Sequence, residues 1–106
     1  MNKEIKREWL TALRSGEYKQ ARGLLHRYQG GFCCFGVLLD ACFEGEWVHA
    51  PGDTWWCWNG HEQEQLPHLI REGCDILKTE MKDLMKMNDD DGADFRTIAD
   101  YIEANL

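Results

Sequence analysis

The stretch FCCFGVLLDACFE, residues 32–44, decides how this chain folds. It is the most apolar part of the sequence, and its thirteen residues exceed the length of a typical strand, so it predicts a buried central helix. A glycine inside a helix costs about 1 kcal/mol relative to alanine. Gly36 therefore indicates that another element, or a ligand, comes close to the backbone of this helix.

Helical periodicity is also present on both sides of this stretch. Residues 3–14 place Ile5, Trp9 and Leu13 on one face, and Gly16, a residue typical of helix ends, follows them. Three further helices are predicted: one opened by Leu66-Pro67 and ended by Gly73, one from a Thr79 cap to about Asn88, and one over residues 95–104 after an Asp94 cap.

The strand signals are weaker than the helix signals. Residues 46–50 and 54–58 are rich in β-formers and flank Pro51-Gly52-Asp53, so they predict a hairpin, and residues 24–27 predict a turn with a short strand. The fold class is therefore α+β, a small single domain over residues 1–106 with four to five helices and one small antiparallel sheet. The predicted core is Trp9, Leu13, Phe32, Cys34, Leu38, Phe95 and Ile98.

Charge and hydropathy exclude several classes of protein. The 106 residues carry a net charge of −7, whereas a protein that binds DNA or RNA directly is expected to be basic. No apolar run is long enough to span a membrane, and the charged N-terminus lacks the apolar region of a signal peptide. We expect a cytoplasmic protein with no membrane partner.

The five cysteines predict neither disulfides nor a metal centre. Five is an odd number, Cys33 and Cys34 are adjacent, and no spacing typical of a zinc module occurs, so reduced and mostly buried thiols are expected. Cys57 with His61 is the best remaining pair for a metal. Apolar surroundings would raise the thiol pKa of Cys33 and suppress nucleophilic chemistry. We expect no enzyme, no cofactor and no metal.

The acidic run at residues 88–92 resembles a calcium loop only superficially. If Gly92 took the invariant sixth position, Met87 and Ile98 would fall where oxygen ligands are required. A polar turn between two helices explains the run instead.

Basic and aromatic residues suggest where a ligand binds. Residues 1–29 contain seven basic and three acidic side chains, so an anionic partner should meet this part of the chain. Three tryptophans within residues 55–58 cannot all be core in so small a domain, and an exposed one could stack on a base. The predicted phosphate ligands are Arg14, Lys19, Arg22 and Arg27, and the predicted stacking residues are Tyr18, Trp55, Trp56 and Trp58. Many protein interfaces share this composition.

Three segments of the sequence resemble a family of small bacteriophage and prophage proteins. They are the W-x2-ALRSG-x-Y-x-Q pattern of residues 9–20, the FCC-x-GVL element of residues 32–38, and the ND with F-x2-IADYIE pattern of residues 88–103. The family is similar to phage counter-defence proteins that act as sponges. The resemblance implies a viral protein that sequesters a host immune cyclic-nucleotide signal, a cyclic oligonucleotide or a cyclic ADP-ribose-type molecule, without cleaving it.

Two hypotheses from different classes follow. The first is this nucleotide sponge, acting in the host cytoplasm, and the crowding of tryptophans into so short a chain favours a homo-oligomer. The alternative is a small acidic phage protein that binds and inhibits a host protein, such as a nuclease or a DNA-binding enzyme. Its basis is the surplus of sixteen acidic over five basic side chains in residues 30–106.

Overall fold

The computed structural model describes residues 1–49, 52, 55–59 and 66–106. It confirms the α+β class, with helices on both sides of a two-stranded antiparallel sheet in the sequence. The elements are α1 (Lys3–Arg14), α2 (Cys34–Cys42), β1 (Trp47–Val48), β2 (Cys57–Trp58), α3 (His68–Gly73), α4 (Lys78–Asp89) and α5 (Phe95–Asn105).

Helix α1 forms as its sequence pattern predicts. The Oδ1 atom of Asn2 accepts hydrogen bonds from the backbone N–H groups of Glu4 and Ile5, both at 3.0 Å, which caps the helix. The apolar face then packs against α2 and α5. Trp9 is fully buried there, and its Nε1 donates to the carbonyl of Cys34 at 2.9 Å, so its one polar atom is satisfied.

Helix α2 is the buried centre of the domain, and residues 34–39 are all buried. It begins at Cys34 rather than at Phe32, which is half-buried and packs against the core from outside the helix. A Cβ built on Gly36 would lie 1.8 Å from the carbonyl oxygen of Leu25. The close approach indicated by Gly36 is thus made by another segment of this chain.

Each strand of the hairpin has two residues within the described part of the chain, and the predicted strand ends at Ala50 and Thr54 lie outside it. Trp47 pairs with Trp58 and Val48 pairs with Cys57 in antiparallel register. Of the predicted turn, Pro51 and Asp53 lie outside the described residues, and Gly52 has a φ of +90°. The short strand predicted at residues 24–27 is wrong. His26 pairs with Phe32 and Arg27 pairs with Trp55, each as an isolated bridge, because the two consecutive residues have different partners.

Two helix caps can be compared with their predictions. Asp94 caps α5 as predicted, since its Oδ1 accepts from the backbone N–H of Thr97 at 2.8 Å. The predicted Thr79 cap of α4 is wrong, because the N-cap is Leu77, two residues earlier, and the helix begins at Lys78. The Glu80 carboxylate accepts the Leu77 backbone N–H at 2.9 Å and so satisfies the group left free at this helix start.

The buried side chains form one hydrophobic cluster, which includes residues of α1, α2, α4 and α5 together with Leu25, Trp58 and Leu66. None of the helices within the described residues is both long and apolar enough to cross a membrane.

Candidate functional site

The segment between α1 and α2, residues 19–31, carries three of the four predicted phosphate ligands, and we name it the basic loop. It folds back on itself around Phe32: the Phe32 N–H donates to the Lys19 carbonyl at 2.8 Å, and the Ala21 N–H donates to the Phe32 carbonyl at 2.7 Å. The Arg27 N–H donates to the Gly31 carbonyl at 2.7 Å and closes a tight turn. The loop is therefore an ordered, hydrogen-bonded structure.

The central observation is that Arg27 lies opposite Trp55 in an antiparallel bridge. Next to this bridge, the Trp56 N–H donates to the His26 carbonyl at 2.8 Å. Directly opposed residues of an antiparallel pair project their side chains to the same face, with Cβ atoms about 4.5–5.5 Å apart. The pairing therefore directs the side chains of Arg27 and Trp55, the first exposed and the second half-exposed, to the same face. We name this surface the Arg27–Trp55 face.

The Arg27 guanidinium remains available to an anion. It is exposed, and its Nη2 donates to the backbone carbonyl of Arg22 at 2.6 Å, which orients the group. Within the described part of the chain, no carboxylate lies within ion-pair distance of Arg27. A guanidinium with free N–H donors suits bidentate contact with a phosphate.

The paired segments around residues 26–27 and 55–56 form a short ribbon. Its other side carries a group of aromatic rings, which we name the aromatic cluster: His26, Tyr28, Phe32, Trp47, His49 and Trp56. His26 stacks on Phe32 at a centroid distance of 3.8 Å, and Tyr28 stacks on His49, also at 3.8 Å. Trp56 lies 5.5 Å from the Tyr28 ring. Tyr28 is 50% exposed, so this cluster reaches the surface as well.

Arg14 and Trp58 lie apart from the Arg27–Trp55 face. The Nη2 atom of Arg14 lies 2.8 Å from Asp100 and 2.9 Å from Glu103, and these hydrogen bonds, the one to Glu103 foremost, raise the pKa of Arg14. Arg14 therefore joins α1 to α5. Trp58 is only 3% exposed and packs edge-on against Trp47, so it cannot stack on a ligand.

Tyr18 is likewise committed to contacts within the chain. Its hydroxyl donates to Asp40 at 2.7 Å, and the other oxygen of that carboxylate accepts from Trp47 Nε1 at 3.1 Å. Burial, aided by the hydrogen bond to Asp40, raises the pKa of Tyr18. Asp40 thus fastens the start of the loop and the hairpin to α2.

Lys19 and Arg22 occupy intermediate positions. Both are exposed, but the guanidinium of Arg22 lies over Gly92, where an added Cβ would be 3.3 Å from its Nη2. Arg22 therefore lies next to the acidic turn at residues 89–91 and contributes its carbonyl, rather than its charge, to the Arg27–Trp55 face.

Sequence reasoning missed several residues that build this region. His26 and Tyr28 alternate with Arg27, and this period of two was the signal that their rings share one side of an extended segment. Asn88, fully buried at the end of α4, gave no comparable signal, because its contacts are with residues far away in the sequence.

The thiols are poorly suited to nucleophilic chemistry. All five cysteines are free. Burial raises the pKa of Cys33 to about 11, that of Cys42 to about 12 and that of Cys74 to about 11, and it raises the pKa of Cys34 as well. Among the described residues, no group of three potential ligands could hold a metal ion, and His61 lies outside them.

Two of the cavities among the described residues are poorly suited to an anionic ligand. One, of about 10 Å³ between the basic loop, α2 and α4, has room for about one water molecule. The other is an open depression of about 460 Å³ along α1, lined by Arg7, Glu8, Thr11, Ala12, Ser15, Glu17, Tyr18 and Ala41. Charges of both signs line this depression, with Arg7 beside Glu8 and Glu17, so it does not favour an anion.

Residues 1–74 match a family described as a domain of unknown function, DUF8296. No curated protein and no solved structure matches the chain. The family match includes the basic loop, α2, the hairpin and α3, whereas α4 and α5 lie beyond it. Because the match covers more than half of the sequence, the chain belongs to the DUF8296 family.

Proposed function

We propose that this protein binds a small cyclic-nucleotide signal on the Arg27–Trp55 face and sequesters it without cleaving it. The observation that carries the proposal is the antiparallel bridge between Arg27, which is exposed, and Trp55, which is half-exposed, because it directs a cationic and an aromatic side chain to one face. Stacking of a base on an aromatic ring contributes about 1–3 kcal/mol. The phosphodiester of the same nucleotide would accept hydrogen bonds from Arg27.

Sequestration without cleavage is supported by the chemistry of the thiols. Four of the five cysteines have a raised pKa, so a thiolate nucleophile is scarce at neutral pH. His26 is stacked on Phe32, and its Nδ1 lies 2.9 Å from the Gly31 carbonyl. This histidine is therefore held by the fold rather than poised as a base toward the Arg27–Trp55 face.

We further propose that the binding unit is a homo-oligomer in the cytoplasm of a phage-infected host. An open face covers one side of a base, whereas sites for small ligands bury most of the ligand surface. A second copy would cover the other side of the base and complete the site.

The test is a thermal-shift screen of the purified protein against cyclic di- and trinucleotides and cyclic ADP-ribose-type molecules. A ligand at 100 times its Kd adds about 2.7 kcal/mol of stability, a rise of several degrees in Tm for a domain of this size. The ligand should be recovered intact after incubation. Recovery of a cleaved product would make the protein an enzyme, and a panel without any shift would remove the proposal.

Matched arginine variants locate the site. Arg27→Gln should reduce the shift to about half, the effect of a tenfold weaker Kd, whereas Arg7→Gln, an exposed arginine at the α1 depression, should leave it unchanged. The reverse result would move the ligand to the depression along α1.

A second candidate function is inhibition of a basic host protein. It is favoured by the exposed acidic side chains of the C-terminal part: Asp83, Asp90, Asp91, Asp94, Asp100 and Glu103. Such a surface would attract a nuclease or a DNA-binding enzyme through charge complementarity. This candidate predicts that the protein slows DNA cleavage in host lysate, and that Asp90→Lys with Asp91→Lys weakens the inhibition. An equally potent double variant would argue against it.

A further inference from the structure

The buried amide of Asn88 uses all of its hydrogen-bonding capacity at one point of the structure. Its Oδ1 accepts from Gln20 Nε2 at 2.9 Å and from the backbone N–H of Cys34, the first residue of α2, at 3.2 Å. Its Nδ2 donates to the carbonyl of Ala21 at 2.9 Å and to the Asp89 carboxylate at 2.8 Å. An amide satisfied on both atoms in a buried place has one orientation, so it fixes its neighbours.

The carboxylate of Asp89, next to Asn88, extends this network to the part of the basic loop that contains Arg22. Asp89 Oδ1, oriented by the Asn88 amide, accepts the backbone N–H of Gly23 at 2.8 Å. Ala21 and Gly23 are therefore both tied to the end of α4, and Arg22 is the residue between them. The carbonyl of Arg22 in turn accepts the Arg27 guanidinium at 2.6 Å.

We propose that Asn88 and Asp89 are positioning residues, which hold the Arg22 carbonyl where it aims the Arg27 guanidinium at a bound phosphate. This inference rests on the proposed function. A guanidinium at the end of a long side chain loses rotamer freedom when it binds, and an acceptor already in place reduces that loss. Asp89 lies beyond the family match, which ends at residue 74, so the network joins the loop to the part of the chain outside it.

Removing Asp89 should change the affinity for an anion in opposite directions, depending on whether Asp89 acts as an anchor or only as a charge. If Asp89 mattered only as a negative charge near the site, removing it would strengthen the binding of an anion. If it positions Arg27, Asp89→Ala should weaken phosphate binding, whereas Asp89→Asn should retain it, because the side-chain oxygen can still accept from Gly23.

Isothermal titration with AMP and adenosine as probes separates the phosphate contact from base stacking. The wild type should bind AMP about tenfold more tightly than adenosine, the increment expected for a hydrogen bond to a charged group. Arg27→Gln should remove the increment. Asp89→Ala should bring AMP affinity down to that of adenosine while adenosine affinity stays constant, and Asp89→Asn should keep the wild-type ratio.

Several outcomes overturn the proposal. A wild type that binds AMP no better than adenosine removes the Arg27 contact and, with it, the proposed function. If Arg27→Gln removes the increment but Asp89→Ala keeps or enlarges it, only the positioning role fails. Gln20→Ala, which leaves the bonds of Asn88 to Ala21 and of Gly23 to Asp89 in place, is the matched control and should keep the increment. In each variant, unchanged adenosine binding reports that the Trp55 surface is folded.

Discussion

Gly36 is the residue at which the basic loop and the central helix touch most closely. The Leu25 carbonyl occupies the space that a Cβ at this position would need. Because the contact joins the backbone of Leu25 to the backbone of α2, neither side can move away as a flexible side chain could. Gly36→Ala should therefore destabilise the domain by about 3 kcal/mol, the cost of overpacking a closed core. Urea unfolding measures this loss directly.

Gly73 provides the matched control for this substitution. It lies at the end of α3, and an added Cβ would meet no atom within 4 Å. Gly73→Ala should leave stability unchanged or raise it by about 0.5 kcal/mol. Equal effects of the two substitutions would contradict the close contact between Gly36 and Leu25.

His26 makes the stability of the domain sensitive to mild acid. Burial lowers the pKa of His26, and this effect outweighs the Gly31 carbonyl and Asp40, both of which raise it. The unfolded chain, with a histidine pKa of about 6.5, therefore takes up the proton before the folded chain does. The free energy of unfolding should be constant above about pH 6.5 and fall as the pH drops below it toward the lower pKa of the folded state.

Urea unfolding of the wild type and of His26→Phe at about pH 7.5 and pH 5.5 tests this dependence. Phenylalanine preserves the ring that stacks on Phe32 but cannot be protonated. The variant should lose less stability on acidification than the wild type does. An identical loss in both proteins would assign the acid sensitivity to other groups.

At the scale of elements, the beginning of α1 depends on one side chain. The Asn2 carboxamide satisfies two N–H groups that have no partner within the helix. Asn2→Ala should cost about 1 kcal/mol, whereas Asn2→Asp should cost little, because an aspartate also accepts and favours the helix N-terminus. Thermal unfolding would show a lower Tm for the alanine variant alone. Equal Tm values for the two variants would mean that the cap contributes nothing.

Helices could be predicted here because their determinants are local. The apolar period of α1 and the Asp94 cap of α5 both lie within one or two turns of the residues they organise. The basic loop could not be predicted in this way. Its shape depends on Asn88, and on pairing with Trp55, which are distant in the sequence.

The candidate site shows the same division. Composition correctly favoured an exposed indole among residues 55–58, since alternation along a strand sends neighbours to opposite sides. The exposure of each indole depends on what covers it: Trp58 packs over Gly45 in the core, whereas Trp55 and Trp56 are both half-exposed. Arg14 could not be excluded from the sequence because its carboxylate partners lie on α5.

For the molecule as a whole, burial controls the reactivity of the cysteines. Four of the five thiols are buried, and Cys42 is half-buried with its pKa raised to about 12. The native protein should therefore react slowly with Ellman's reagent, and then through Cys42 first, whereas the unfolded chain should titrate all five thiols. Cys42→Ser should remove the slow native reaction. Rapid modification of several thiols in the native protein would contradict this packing.

The buried tether at Asn88 also sets an order of events during folding. The basic loop is made early in translation, but its anchors at the end of α4 emerge more than sixty residues later, as the separation of Ala21 and Asn88 shows. Closing a connection of that length is slow compared with forming a helix. Helix α1 can form while the chain is still being synthesised, whereas the surface carrying Arg27 takes shape only after α4 has docked. A nascent chain should therefore pass through a stage in which α1 has formed but the Arg27–Trp55 face has not.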